Sequence, residues 1–229
     1  MESGIHILYI DTATDIASIA ISSNNELVVV RTSEESRNHA ATINGMIEEV
    51  ICEAGLQFKE LSAIAVCAGP GSYTGLRIGL STAKGLCYVL DKPLMMYNKL
   101  DLLCRQNINK NNKKYEHFVA VLRAREGEYF ISAHAKNLDV VMEAKHVMAK
   151  DIFEALGKLP SVCLITECDD VNWNGMMTNL VQIEKSIKID FAEWVKWGNA
   201  DYIEKKFAHL ANCEPDYLKD VYTVLRDFL

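Results

Sequence analysis

Short apolar runs of strand length alternate along this chain with stretches whose apolar residues recur at helical spacing. Ile5 to Asp11 (IHILYID) is a compact apolar run, Ala17 to Ser22 (ASIAIS) alternates small or polar with apolar residues, and after the turn SNNE the run Leu27 to Thr32 (LVVVRT) returns. This predicts three strands in hairpin sequence. In NHAATINGMIEEVICEAG, Ile43, Met46, Ile47, Val50, Ile51 and Ala54 then fall on one side of a helix, which Gly55 is placed to end. Leu61 to Ala68 (LSAIAVCA) is nearly continuously apolar, as a central strand buried on both faces must be. A second helix follows, from near Gly75.

The order strand, strand, strand, helix, strand, helix recurs in weaker form. Tyr115 to Arg123, Glu128 to His134 and Asp139 to Ala144 read as strands, Lys150 to Gly157 as a helix, and Val162 to Glu167 as a strand before a closing helical stretch. The polar run NKNNKK (Asn109 to Lys114) joins the halves. Two copies of one unit are therefore expected, an N-terminal lobe over 1–108 and a C-terminal lobe over 109–229. Each is an α/β unit, a mixed sheet flanked by helices. Duplicated, that is the architecture of actin-like ATPases, sugar kinases and ribonuclease H-like proteins.

Composition narrows the chemistry. The 229 residues carry 24 basic and 31 acidic side chains, and the net charge of −7 disfavours an extended nucleic-acid surface. Any nucleic acid is expected to reach this chain through a partner. No run approaches the roughly 20 apolar residues of a membrane span, and no basic start precedes an apolar run, so a cytoplasmic location without membrane contact is expected. Seven cysteines lie scattered without CxxC spacing and read as reduced core residues. The six histidines form no HxxxH or HExxH pair, so no metal site is expected.

The stretch AGPGSYTGLRIGLSTAKG (Ala68 to Gly85) resembles a phosphate-binding loop feeding a helix. Gly69 and Gly71 permit a sharp turn, Pro70 fixes its own backbone angle, and Ser72 or Thr74 can cap the helix. No lysine follows the last glycine as GxxxxGK[ST] requires, and Thr74 stands where GxGxxG wants glycine. An anion site and a purely structural turn both remain open. Within the helix, Gly75, Gly79 and Ala83 recur every four residues on one face. Each interior glycine costs about 1 kcal/mol relative to alanine. Close approach of another helix, from the chain's own core or from a second chain, would offset that cost.

Complete catalytic sets are harder to find. Asp11 ends the first strand where a metal-dependent nuclease places a carboxylate, but the fourth strand ends in Cys67, Ala68 and Gly69 with no acid. DTATD (Asp11 to Asp15) suits a phosphate and magnesium, or equally a turn that satisfies its own backbone. Ser72 and His39 form a conceivable hydrolytic pair, without any spacing that ties them together.

Taken together, IDTAT (Ile10 to Thr14), His39, AGPGSYTGLRIGLSTAKGL (Ala68 to Leu86), LRAREGEYF (Leu122 to Phe130) and PDYLK (Pro215 to Lys219) occur in an order that resembles the TsaB family, also called YeaZ-like or glycoprotease-like. GPGSYTGLRIG is the specific part. The resemblance implies a two-lobed actin-like (ASKHA) fold with a degenerate nucleotide site and no catalytic residues. It implies an accessory subunit that binds and activates the TsaD threonylcarbamoyltransferase, joined by the ATPase TsaE. The complex modifies the adenosine beside the anticodon in tRNAs reading codons that begin with adenine. The catalytic relative carries a metal-binding HxxxH on its first helix; here Ile43 stands four residues after His39.

The resemblance also implies that the two N-terminal helices meet TsaD, or a second copy of the chain when alone. Ile43, Met46, Ile47 and Val50 on the first helix, and Gly75, Gly79, Leu80 and Ala83 on the second, are the expected partner positions, some of which must face the sheet instead. Gly79→Arg is then expected to weaken association. Asp11, Thr12, Gly69, Gly71, Ser72, Thr74, Arg123 and Arg125 are the nucleotide-site or structural-loop candidates. The chain itself should require no cofactor, with ADP or ATP held, if at all, at the partner interface. PDYLK has lysine where the family often has arginine, and the second lobe matches loosely. The competing reading is an enzyme, either an ASKHA-type phosphotransferase using Asp11 and the Gly69 to Gly75 loop or a glycoprotease-like peptidase.

Overall fold

The computed structural model describes residues 4–33, 38–111, 114–173 and 178–219. β1 (His6–Asp11), β2 (Ser18–Ser23) and β3 (Glu26–Thr32) form an antiparallel meander. α1 (His39–Glu53) follows and stops where Gly55 takes a φ of +69°, a left-handed turn that favours glycine. β4 (Ala63–Gly69) then pairs parallel to β1, and α2 (Tyr73–Leu90) leads to β5 (Leu94–Asn98), parallel to β4. The first sheet runs β3-β2-β1-β4-β5.

The second half repeats it. After α3 (Lys99–Asn111) come β6 (His117–Arg125), β7 (Glu128–Ala135), β8 (Val140–Met148), α4 (Ala149–Leu156), β9 (Val162–Ile165), β10 (Leu180–Glu184) and α5 (Phe191–Ile203). Read from its other edge, the second sheet is β8-β7-β6-β9-β10, with the same succession of antiparallel and parallel pairs as the first. The expected duplicated, mixed-sheet architecture is present. β5 and β10 are additional to the expected strands: each is five residues long and terminates a sheet, so neither carries a long apolar signal.

Side chains alternate across the sheets and set two layers on each. From β1, Leu8 and Ile10 face α1 and α2 in a core with Ile43, Ile47, Val50, Leu80 and Ala83. Ile7 and Tyr9 face the other way, onto Trp194 and Val195 of α5. In the second sheet, Val119 and Val121 meet Ile152 and Leu156 of α4, while Phe118 and Ala120 meet Leu100, Leu103 and Cys104 of α3. The last helix of each sequence half thus serves the other half's sheet. The expected boundary at residue 108 falls inside α3, which is continuous to Asn111; Asn112 and Lys113 of the expected linker lie outside the described residues.

α5 reaches the first sheet through a glycine. A Cβ on Gly198 would overlap the Tyr9 phenol oxygen. Tyr9 itself lies edge-on to Trp194 at 5.2 Å, and burial raises its phenol pKa first of all. By contrast, a Cβ on Gly45, on the outer side of α1, would meet nothing within 4 Å. Gly198→Leu is therefore expected to destabilise the chain by about 1–3 kcal/mol through overpacking, and Gly45→Ala to stabilise it by up to about 1 kcal/mol. Urea unfolding of the two variants beside the parent reads both signs.

Candidate functional site

β1 ends in Asp11 beneath the junction of the lobes, and the chain turns through Thr12, Ala13 and Thr14. Asp11 Oδ1 accepts from the Ala13 amide at 2.9 Å, and its Oδ2 lies 3.5 Å from Lys99 Nζ. Both side chains are buried, at 8% and 2% exposure, so the ammonium is the counter-charge that lets a carboxylate sit there. Thr12 is wholly buried and donates its hydroxyl to Gly75 O at 2.8 Å. His39 Nε2 lies 2.8 Å from Thr14 O and fixes the far side of the turn.

The glycine-rich loop packs directly on this turn. The Ser72 amide donates to Ala13 O at 2.8 Å, and Ser72 Oγ caps α2 by accepting from the Gly75 amide at 3.3 Å. A Cβ at Gly71 would overlap Ala13 O, one at Gly75 would overlap Thr12 O, and one at Gly79 would overlap Thr12 Oγ1. The glycines let two loops of one chain touch, and the amides at 13, 72 and 75 have partners within the chain. Gly69 has a φ of +123° and leaves room for the carbonyl of Asp216. Thr74 is exposed on the first turn of α2.

The expected partner positions lie on the inner side of the helices in the isolated chain. Ile43, Met46, Ile47, Val50, Gly75, Gly79, Leu80 and Ala83 all turn inward and are buried, packed on the sheet or on the Thr12 turn. Gly79→Arg would disrupt the lobe itself and cannot report on association. The outward face of the helix pair presents Ala41 and Gly45 on α1 and Ser81, Gly85, Tyr88 and Val89 on α2. Tyr88 and Val89 are 81% and 79% exposed, and a Cβ on Gly85, like one on Gly45, would meet nothing within 4 Å.

A cleft of about 460 Å³ separates the lobes above Lys99, with Ala13, Thr14, Gly71 and Ser72 on one wall and Arg123, Phe130 and Glu167 on the other. Arg123 is committed to Asp170 at 2.6 Å, and the same carboxylate accepts from Tyr129 at 2.8 Å. Arg125 is exposed and lines a neighbouring cavity of about 450 Å³. Among the described residues no hydrogen bond joins Ser72 to His39, and no group of three His, Cys, Asp or Glu is disposed to hold a metal. Burial pushes the Cys67 thiol, at the end of β4, well up from its ordinary range. No helix among the described residues is long and apolar enough to cross a membrane.

The segment after α5 had no role assigned by sequence. The Ala208 amide bonds Leu94 O on β5, and Asp216 N donates to Ala68 O at 2.8 Å. Asn98 donates to Asp216 Oδ2 at 3.1 Å, and burial raises the Asp216 carboxyl from its usual range. The Tyr217 ring lies 5.1 Å from that of Tyr73, and its hydroxyl accepts from Arg77 at 2.9 Å. Lys219 then pairs with Glu128 of β7, whose carboxyl is lowered by hydrogen bonds from Lys219 and from His146. PDYLK is thus a strap from the first lobe to the second. Its mixture of polar and aromatic residues signals loop, and only the fold supplies its partners.

A family model described as TsaD, tRNA N6-adenosine threonylcarbamoyltransferase, matches residues 28–186. A tRNA threonylcarbamoyladenosine biosynthesis protein TsaB of Haemophilus influenzae is 30% identical over 126 residues, which are 55% of this chain and 52% of that protein. Its Bacillus subtilis counterpart is 29% identical over 154 residues, 66% of this chain and 65% of that protein. The chain thus spans between half and two thirds of these relatives' length. A Pseudomonas aeruginosa crystal structure, of an uncharacterized protein with similarity to peptidase YeaZ, superposes with a TM-score of 0.78 at 18% identity. The superposition covers 94% of this chain and 100% of that one, and shows the shared fold.

Lys99→Met leaves Asp11 buried without its counter-charge and is expected to cost about 3–5 kcal/mol. Adding Asp11→Asn should recover most of that loss, since the amide oxygen can still accept from Ala13. Chemical denaturation of the two single variants and the double variant gives the coupling.

Proposed function

This chain belongs to the TsaD family and is homologous to the TsaB/YeaZ proteins, and we propose that it is a non-catalytic accessory subunit of tRNA threonylcarbamoyladenosine synthesis. It binds and activates a TsaD-type threonylcarbamoyltransferase in the cytoplasm, with a TsaE-type ATPase joining the pair. The tRNA engages through the complex, in keeping with the net charge of −7. The observation that carries the reading is the contrast between two sets of glycines. Gly71, Gly75 and Gly79 lie where the chain's own Thr12–Ala13 turn leaves no room for a side chain, whereas Gly45 and Gly85 have no neighbour to justify them.

Two helix-interior glycines facing open space cost the isolated chain about 1 kcal/mol each. A partner helix packed close against the α1–α2 pair offsets that cost, and Tyr88 and Val89 supply the apolar anchors such a contact needs. The partner is the TsaD-type subunit in the working complex and a second copy of this chain in isolation. A specific interface of this kind buries about 1,600 Å² in total. ADP or ATP, where one is held, belongs at that interface, as the family resemblance implies.

Threonylcarbamoyl incorporation into tRNA, in a mixture of the cognate TsaD-type and TsaE-type proteins and the adenylate-forming enzyme, should require this chain. Equal incorporation without it would overturn the accessory role. Gly85→Arg adds a side chain where the chain has open space, so it should fold as the parent does yet weaken self-association and TsaD-type binding by at least about tenfold. Unchanged affinity in both measurements would remove the α1–α2 assignment.

A further inference from the structure

A second cavity, of about 250 Å³, opens between the end of β5, α3 and α5, away from the interlobe cleft. Asp101 and Arg105 stand one turn apart on α3 and both line it. An aspartate and an arginine at that spacing ordinarily pair with each other. Here each is held elsewhere. Asp101 Oδ1 is taken by Nε2 of the wholly buried His134 at 2.9 Å. The Arg105 guanidinium lies over the Trp197 ring, 5.2 Å from its centroid, and its Nε is buried without a hydrogen-bond partner.

The cavity therefore presents an oriented carboxylate with one oxygen unengaged beside a guanidinium without a salt bridge among the described residues. Asp201 and Lys206, also on the wall, already pair at 3.1 Å, so the two open groups are of opposite sign. Their complement is a small molecule carrying both an anion and a cation. The volume gives room for about eight water-sized groups, and Met96, Leu102 and the Trp197 ring supply an apolar side.

We propose that this cavity binds a small α-amino acid, with its carboxylate on the Arg105 guanidinium and its ammonium on Asp101. Planar, two-pronged recognition is what a guanidinium offers a carboxylate, and stacking on the indole fixes its plane. The inference does not rest on the accessory role and concerns a different face of the molecule.

Isothermal titration of the full chain with each of the common L-amino acids, and with propionate and propylamine as half-ligands, tests it. At least one amino acid should bind saturably at one site, at least about tenfold more tightly than either half-ligand. Arg105→Met and Asp101→Asn should each weaken that binding by at least about tenfold, in proteins whose circular dichroism matches the parent. If Arg105→Met does not fold, Arg105→Lys keeps the charge without the fork and should weaken binding in the same sense. No saturable binding up to about 10 mM, propionate binding as tightly as the best amino acid, or undiminished affinity in the folded Arg105 variant would each overturn the proposal.

Discussion

The contact of the Thr12 turn with a row of glycines is the constraint on which this molecule's character depends. Thr12 is wholly buried, bonded through its hydroxyl to the backbone of α2, and flanked by positions where no side chain fits. The turn and the helix start touch, and the amides of Ala13, Ser72 and Gly75 are bonded within the chain. The buried Lys99 supplies Asp11 with a fixed positive charge at the foot of that turn. The turn and the start of α2 thereby form a joint beside the interlobe cleft.

That joint sets the angle at which α2 leaves the sheet, and so the orientation of the outer face of the α1–α2 pair. The same two helices have an inner face that is fully used, by Ile43, Ile47, Val50, Leu80 and Ala83 against the sheet, and an outer face that is sparse in side chains. Branched apolar residues fill the space over the sheet, while Ala41, Gly45, Ser81 and Gly85 lie on the solvent side beside Tyr88 and Val89. The Thr12 contact fixes one end of that outer face.

Much of this was legible from periodicity. Two-residue alternation and continuous apolar runs marked β1 through β4, and the repetition of their order announced the second sheet. The helical spacing of Ile43, Met46, Ile47 and Val50 identified a buried stripe, yet a stripe shows only that something covers it; the sheet does so, and the resemblance to a helix-pairing family had pointed outward. The glycines at 75 and 79 were correctly read as close-approach positions, but a spacing of four cannot distinguish a helix from the turn at Thr12. Short edge strands such as β5, the strap at PDYLK and the separation of Asp101 from Arg105 leave no periodic trace, since their partners lie far away in sequence.

The exchange of last helices also orders events in time. One face of the first sheet, with Ile7, Tyr9 and Ala65, is covered by α5, which begins about 90 residues after β5 has ended. At a synthesis rate of about 5–20 residues per second, that face stays uncovered for about 5–20 s on the ribosome. During that interval the nascent chain carries a completed sheet with a bare aromatic surface, a natural target for chaperones that shield apolar segments. Closure waits until Trp194 and Gly198 have emerged, so the first sheet to be made is among the last to be finished.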